Sequence, residues 1–436
     1  MSGSHPYHLI ASVLSLGNKP AEPPKAGPQS DSDARPSESS KAGPQSDSKA
    51  RPSEPSKAGP QSDSEARQAG GDNGSGGSES IDNAVLRADR QKVIRAIESG
   101  EVDWERVVFT GSNNYVLQAF YLKILEHDLI GLLPAELADH LKELYDLNLA
   151  RNNTILEHTE RINKLLKSNG ITPVFMKGLG NMLDGLYSSP GERMMLDIDI
   201  LADPEKMEDA ARLLIDDGFT SVQQYDPARK PAMKHFPELV KDGLPAFVDI
   251  HRMPVNIQYE SHFNYQTAVS DQRPARNNPD YMVMSDSHKI TLNFIHSQLV
   301  HWGHQHAHPS LRDLYDLLLL NRREDAAAVL NAYSPFRGKA AGYLRVFYRT
   351  FGINKELPKE MKKKGRMHLA RHKIAMDSPR SGKLMFSMLR GWRQYLEIPL
   401  RSLFDKNYRL YVKVRLRDPE WYKRNLGVRK FFKKKS

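Results

Sequence analysis

The apolar positions along the chain follow two rhythms. Between residues 81 and 170 they recur at helical spacing. Leu86, Val93, Ile94 and Ile97 share one face, and Gly100 ends it. A longer helix opens at Pro134 and carries Leu141, Leu144, Leu147, Leu149, Ile155, Ile162 and Leu165 to a stop at Gly170. At Ile171 the period changes. Ile171 to Met176 is a short apolar run and predicts a strand. Lys177-Gly178-Leu179-Gly180 predicts a glycine turn into a short helix over 181–187. Met194 to Ala202 predicts a second strand. Asp203-Pro204 caps a helix that Gly218 stops. Two further strands, 234–240 and 244–251, flank the turn Lys241-Asp242-Gly243. Residues 171–255 therefore predict an α/β-type core inside an α+β chain, with helical regions at 81–170 and 280–350. The stretch between 255 and 280 reads as loop.

The N-terminal 80 residues have no such rhythm. Lys25-Ala26-Gly27-Pro28-Gln29-Ser30-Asp31-Ser32 returns at Lys41 and Lys57, a 16-residue period. The unit has almost nothing to bury, so ordering it would cost more entropy than packing returns; residues 25–80 are expected to be disordered repeats and a Gly/Ser linker. Residues 1–24 form either a tethered docking peptide or no structure of their own. Their apolar run, Leu9 to Leu14, lacks the basic flank of a signal peptide.

No cysteine is present, which excludes disulfides, thiol nucleophiles and thiolate metal sites. No stretch reaches the roughly 18 apolar residues of a membrane span. The expected location is the cytoplasm. Charge is uneven: residues 361–436 hold 23 Lys/Arg against 5 Asp/Glu, while the rest holds 40 against 48. The basic tail, 356–436, interleaves those cations with Phe386, Trp392, Tyr395, Phe404, Tyr408, Tyr411, Trp421 and Tyr422. Three readings fit it: a helical extension packed on the core, contact with an anionic membrane surface, and contact with nucleic acid.

The chemistry centres on Asp197-Ile198-Asp199. Strand alternation sends both carboxylates to one face, where they repel unless a cation lies between them. Hard oxygen ligands so spaced suit Mg²⁺ or Mn²⁺ with substrate phosphates completing the shell. Asp249 holds an equivalent place in Val248-Asp249-Ile250-His251 and adds a third carboxylate. Upstream, the Lys177-Gly178 turn opens a helix whose free N–H groups can receive a phosphate, with Lys177 as a point charge. Arg193 either neutralises triphosphate oxygens or pairs with an acidic residue. His251 is near enough to serve as a base, or is a buried strand histidine. His296, His301, His304, His306 and His308 are dense but match no zinc spacing; packing beside the site is expected of them. Arg312 and Asp313 either complete a nucleotide pocket or pair with each other.

Taken as a set, residues from about 85 to 330 resemble the uncharacterised nucleotidyltransferase family of the DNA polymerase β-like superfamily. The matching pieces are Phe175 to Gly178, Tyr187 to Arg193, Asp197 to Leu201, Val248 to His251 and Arg312 to Asp316. The resemblance implies a small mixed sheet flanked by helical bundles. It implies nucleotidyl transfer from a nucleoside triphosphate, with two metal ions roughly 4 Å apart clamping the α-phosphate. Metal would be held by Asp197, Asp199 and Asp249, and nucleotide by Lys177, Gly178 and Arg193. Two departures stand out: Gly178-Leu179 replaces the superfamily's usual Gly-Ser or Gly-Gly, and the gap from Gly178 to Asp197 is long. The rival functional readings are a non-catalytic nucleotide-binding scaffold and a nucleic-acid-binding protein acting through the basic tail.

Overall fold

The computed structural model describes residues 5–17 and 81–416. The repeats, the Gly/Ser linker and the end of the basic tail lie outside the described residues. The described residues 5–17 and 85–416 belong to the first of two compact units. The sheet and the helices around it belong to the first unit.

Seven short strands form one mixed sheet: β1 Val174–Phe175, β2 Asp197–Leu201, β3 Thr220–Ser221, β4 Leu239–Val240, β5 Phe247–His251, β6 Arg273–Pro274 and β7 Met282–Val283. Their order is β3-β4-β5-β2-β1-β7-β6. β2 runs parallel to β5 and antiparallel to β1. Ile198, Ile200, Val248 and Ile250 are fully buried, which anchors the middle of the sheet. The architecture is α+β, with helices before, on and after a small mixed sheet. Residues read as loop after 255 contribute β6 and a short helix, Tyr265–Val269.

The helix Ala135–Ser168 turns Leu141, Ile155, Ile162 and Leu166 to the core, with Asn148, Asn152, Thr159 and Asn163 buried among them, while Leu147, expected on that face, is exposed. Its polar residues do a separate task. Asn148 donates to the Gly191 carbonyl at 2.8 Å, and Asn152 to those of Pro190 and Arg193 at 2.6 and 2.8 Å. Arg151 donates to the Met195 and Pro245 carbonyls. These bonds fix the approach to β2 and the turn before β5 relative to one another.

The strand expected over 234–240 is confined to Leu239–Val240. Lys177-Gly178-Leu179-Gly180 is not a turn but the start of the helix Lys177–Leu183. The glycine that matters there is Gly180: a Cβ on it would lie 2.3 Å from the Phe175 carbonyl oxygen, so its bareness serves close packing of helix on strand.

The helix Pro6–Ser15 is seated in the core, with Leu9, Ile10, Val13 and Leu14 nearly or fully buried. Tyr7 donates to the Pro309 carbonyl at 3.3 Å, and Arg322 to that of Ser15 at 3.4 Å. The tail forms further helices, Arg366–Asp377, Pro379–Trp392, Ile398–Phe404 and Lys406–Leu416. Ile398, Tyr408 and Tyr411 pack with Met253 and Ile257 in a small core of their own. Among the described residues no helix is long and apolar enough to cross a membrane.

Candidate active site

Parallel pairing of β2 with β5 sets Asp199 directly across from Asp249, and Leu201 across from His251. Carboxylate and imidazole atoms of Asp199, Asp249 and His251 lie within 4.8 Å of one another; theirs is the metal-competent cluster among the described residues. Asp197 is one alternation earlier on the same face and lines the adjoining cavity. That cavity, of about 340 Å³, is also lined by Lys177, Gly178, Arg193, Lys234, Asp249 and Arg312.

His251 is fully buried, and its Nε2 meets Asp199 Oδ1 at 2.7 Å. The imidazole is held neutral, pushed well below its ordinary range by burial and by the nearby Lys234 and Lys177. A neutral ring with Nε2–H donating to Asp199 is a positioning group. Lys177 Nζ also donates to Asp199 Oδ1. Burial works against its charge, but Asp199 and Asp197 override it and raise the ammonium's pKa. Lys177 adopts φ +52°, a left-handed backbone that non-glycine residues rarely hold; such departures concentrate at working sites.

Burial and mutual repulsion act on the carboxylates together. Burial and then Asp199 push Asp249 up to about 7. Burial and Asp199 also raise Asp197. Asp249 Oδ1 is buried with no hydrogen-bond partner. A buried orphan acceptor among like charges fits a hard divalent ion better than it fits the bare protein.

Cations around the cavity divide into two groups. Arg193 is engaged: Nε and Nη2 reach the two oxygens of Asp316 at 2.9 and 2.8 Å, and the pair is buried. Tyr187 donates to the same Asp316 at 2.9 Å, and Tyr315 donates to Glu192. The motifs Tyr187–Arg193 and Arg312–Asp316, far apart in the chain, thus clasp each other. Lys177 is committed to Asp199. Lys234 and Arg312 are different. Lys234 has no ion-pair partner among the described residues, and burial followed by Lys177 lowers it to about 8. Arg312 pairs with Asp313 at a long 3.9 Å, its Nε makes no hydrogen bond, and its guanidinium lies 5.1 Å over Tyr115.

Gly178 lines the cavity, yet a Cβ there would make only ordinary contacts of 3.7–3.8 Å with Met195 and Arg193. His296 and His301 both line the cavity with rings 5.5 Å apart, and the later histidines disperse onto separate partners. His304 stacks on His368 at 4.6 Å, and His308 packs on Tyr7 at 4.9 Å.

Sequence reasoning missed Lys234 and His235. The one available signal was the 234–240 strand paired back on 244–251, which returns its first residues to the level of His251. Phe236 N–H donates to the Ile250 carbonyl at 2.8 Å, and His235 bridges to His251.

The family model of an uncharacterised nucleotidyltransferase matches residues 100–357. This chain belongs to that family. The matched span covers the whole sheet, the carboxylate cluster and the helices that hold them. No curated protein matches the chain. As a family member it is an enzyme of the nucleotidyltransferase class, with nucleotidyl transfer as its general role.

Proposed function

We propose that this nucleotidyltransferase is dependent on Mg²⁺ or Mn²⁺ and transfers a nucleoside monophosphate from a triphosphate to an acceptor hydroxyl or phosphate. The observation carrying this reading is the Asp199–Asp249 register with its orphaned, buried Asp249 oxygen. Asp197, Asp199 and Asp249 are the metal ligands. The bound ions would lower the pKa of the acceptor oxygen and screen the charge of the departing pyrophosphate. The acceptor oxygen attacks the α-phosphorus; its bond to phosphorus forms as the α–β bridging bond breaks, the electron pair leaves with pyrophosphate, and the acceptor proton passes to solvent.

The protein's part is positioning and charge neutralisation. Lys177 and His251 hold Asp199 in place from two sides. Lys234, which has no ion-pair partner among the described residues, and Arg312, whose pairing with Asp313 is long at 3.9 Å, take the β- and γ-phosphates. Arg193 shapes the wall through Asp316 and so serves the nucleotide indirectly. Gly178 and the first turn of its helix border the phosphates. The acceptor belongs to the class of sugar or glycan precursors, RNA ends or protein side chains. The proposed place of action is the cytoplasm, with which a chain lacking cysteine is compatible.

Double-label transfer tests the reading. Triphosphates labelled at the α- or the γ-phosphate are incubated with the enzyme, Mg²⁺ and a fractionated cell extract. The proposal expects α-label, and no γ-label, in a product that Asp199→Asn fails to make. Transfer of γ-label would instead assign phosphoryl transfer and overturn it.

A further inference from the structure

The surface of the tail carries an arrangement that nucleotidyl transfer does not use. Of the 19 large apolar residues that stand exposed among the described residues, 11 fall between Met367 and Leu416. The helix Pro379–Trp392 runs through a wide turn, Arg393–Glu397, into Ile398–Phe404. Its inner side is pinned: Gly382 packs on Ala375, and the buried Arg393 lies 4.5 Å over Trp302 and donates to Tyr259. Facing outward are Leu384 at 65% exposure, Met388 at 68%, Trp392 at 56% and Leu396 at 53%, each four residues after the last. Tyr395, Leu400, Leu403 and Phe404, the last 86% exposed, extend this surface. Apolar side chains held outward by a fixed inner face mark an interaction surface.

Charge says what kind. Residues 366–416 carry 12 Lys/Arg against 3 Asp/Glu, and the exposed Arg380 and Lys383 flank the apolar stripe. Beside it opens a cleft of about 680 Å³ lined by Arg337, Lys339, Lys364, Arg371 and Arg401, with no carboxylate in its lining. Arg401 shares a helix with Leu400 and Phe404, and the exposed Met367 lies on the cleft's rim, so the cleft and the stripe adjoin. Protein interfaces are depleted of lysine at their centres, and nucleic acid has no use for a Leu/Met stripe. An anionic bilayer satisfies both features, with aliphatic and Trp/Tyr side chains at the headgroup boundary and phosphates in the basic cleft.

We propose that the helices from Arg366 to Phe404 form a docking face for an anionic phospholipid bilayer, on which the enzyme sits peripherally. The inference is independent of the metal and nucleotide assignments.

The test is co-sedimentation of the full-length chain with phosphatidylcholine vesicles, with and without phosphatidylserine, at low and high salt. Binding is expected only to the anionic vesicles, weakened by salt, with a blue shift in emission that Trp392→Phe removes. The exposed triple variant Leu384→Ser/Met388→Ser/Leu396→Ser is expected to melt like wild type and to lose at least about tenfold in partitioning. Arg380→Glu/Lys383→Glu should lose a similar ~10-fold. No vesicle binding by wild type, undiminished binding by the folded triple variant, or tight single-stranded RNA binding without vesicle binding would each overturn the proposal.

Discussion

Asp249 states the site's chemistry in one side chain. Its carboxyl titrates near 7 in the folded protein against 3.8 for the free group, because burial and Asp199 disfavour the charge. Between those values the folded state keeps a proton that the unfolded state has lost. The group's contribution to metal-free stability is therefore complete below pH 3.8 and declines as pH rises toward 7, with an upper bound of ~4 kcal/mol. Melting in EDTA across that range should show the decline, and Asp249→Asn should flatten it. Metal needs the ionised form, so Mg²⁺ affinity measured by calorimetry should rise with pH up to about 7 and then level. A second contrast separates two arginines. Arg193→Ala leaves the buried Asp316 carboxylate without its partner and should cost about 3–5 kcal/mol in denaturant unfolding. Arg312→Ala removes the 3.9 Å pairing with Asp313 and the contact over Tyr115, and should cost less stability than Arg193→Ala while weakening triphosphate binding about tenfold. The sequence named both residues and left their roles open, because a motif gives a residue's neighbours in the chain and not its partner 123 positions away.

Local pairing decides which elements the sequence foretells. Gly180→Ala would drive a Cβ to 2.3 Å from backbone and should destabilise by about 2 kcal/mol or more, whereas Gly178→Ala has room and should be nearly neutral to folding. Chemical denaturation of the two variants tests the corrected assignment of the Lys177–Leu183 helix. The glycine pair read as a turn because flexibility and close packing leave the same residue in the sequence. Strands β2 and β5 were legible from their alternation, and so were the carboxylates they carry. Their parallel register was not, since nothing local states which residue faces which. The buried Asn148 and Asn152 were hidden for a related reason: within a helical pattern they look like solvent-facing positions, and only the loop they bind gives them purpose. The helix Pro6–Ser15 was visible as an apolar run but not as core. Ile10→Ala or Leu14→Ala, both at fully buried positions, should each cost about 2–5 kcal/mol by thermal or denaturant unfolding.

Across the whole molecule, one hydrophobic core extends from Tyr7 to Met361 and encloses the central strands of the sheet. The cavity opens where β2 and β5 present their carboxylates, and it is lined by cations from the segment before β4, Lys234, and from the helix Leu311–Asn321, Arg312. The fold class and the carboxylate cluster could be read from the chain because alternation and spacing are local facts. The convergence of Lys234 and Arg312 on the cavity could not, because it is a property of the assembled structure. The central claim is that Asp197, Asp199 and Asp249 hold metal for a triphosphate. Calorimetric titration with ATP, GTP, CTP and UTP, with and without Mg²⁺, tests it most directly, on wild type and on Asp197→Ala/Asp199→Ala. The account predicts Mg²⁺-dependent binding of at least one triphosphate by wild type and its loss in a folded double variant. Triphosphate binding that survives removal of both Mg²⁺ and the two carboxylates, or no binding by folded wild type, would contradict it.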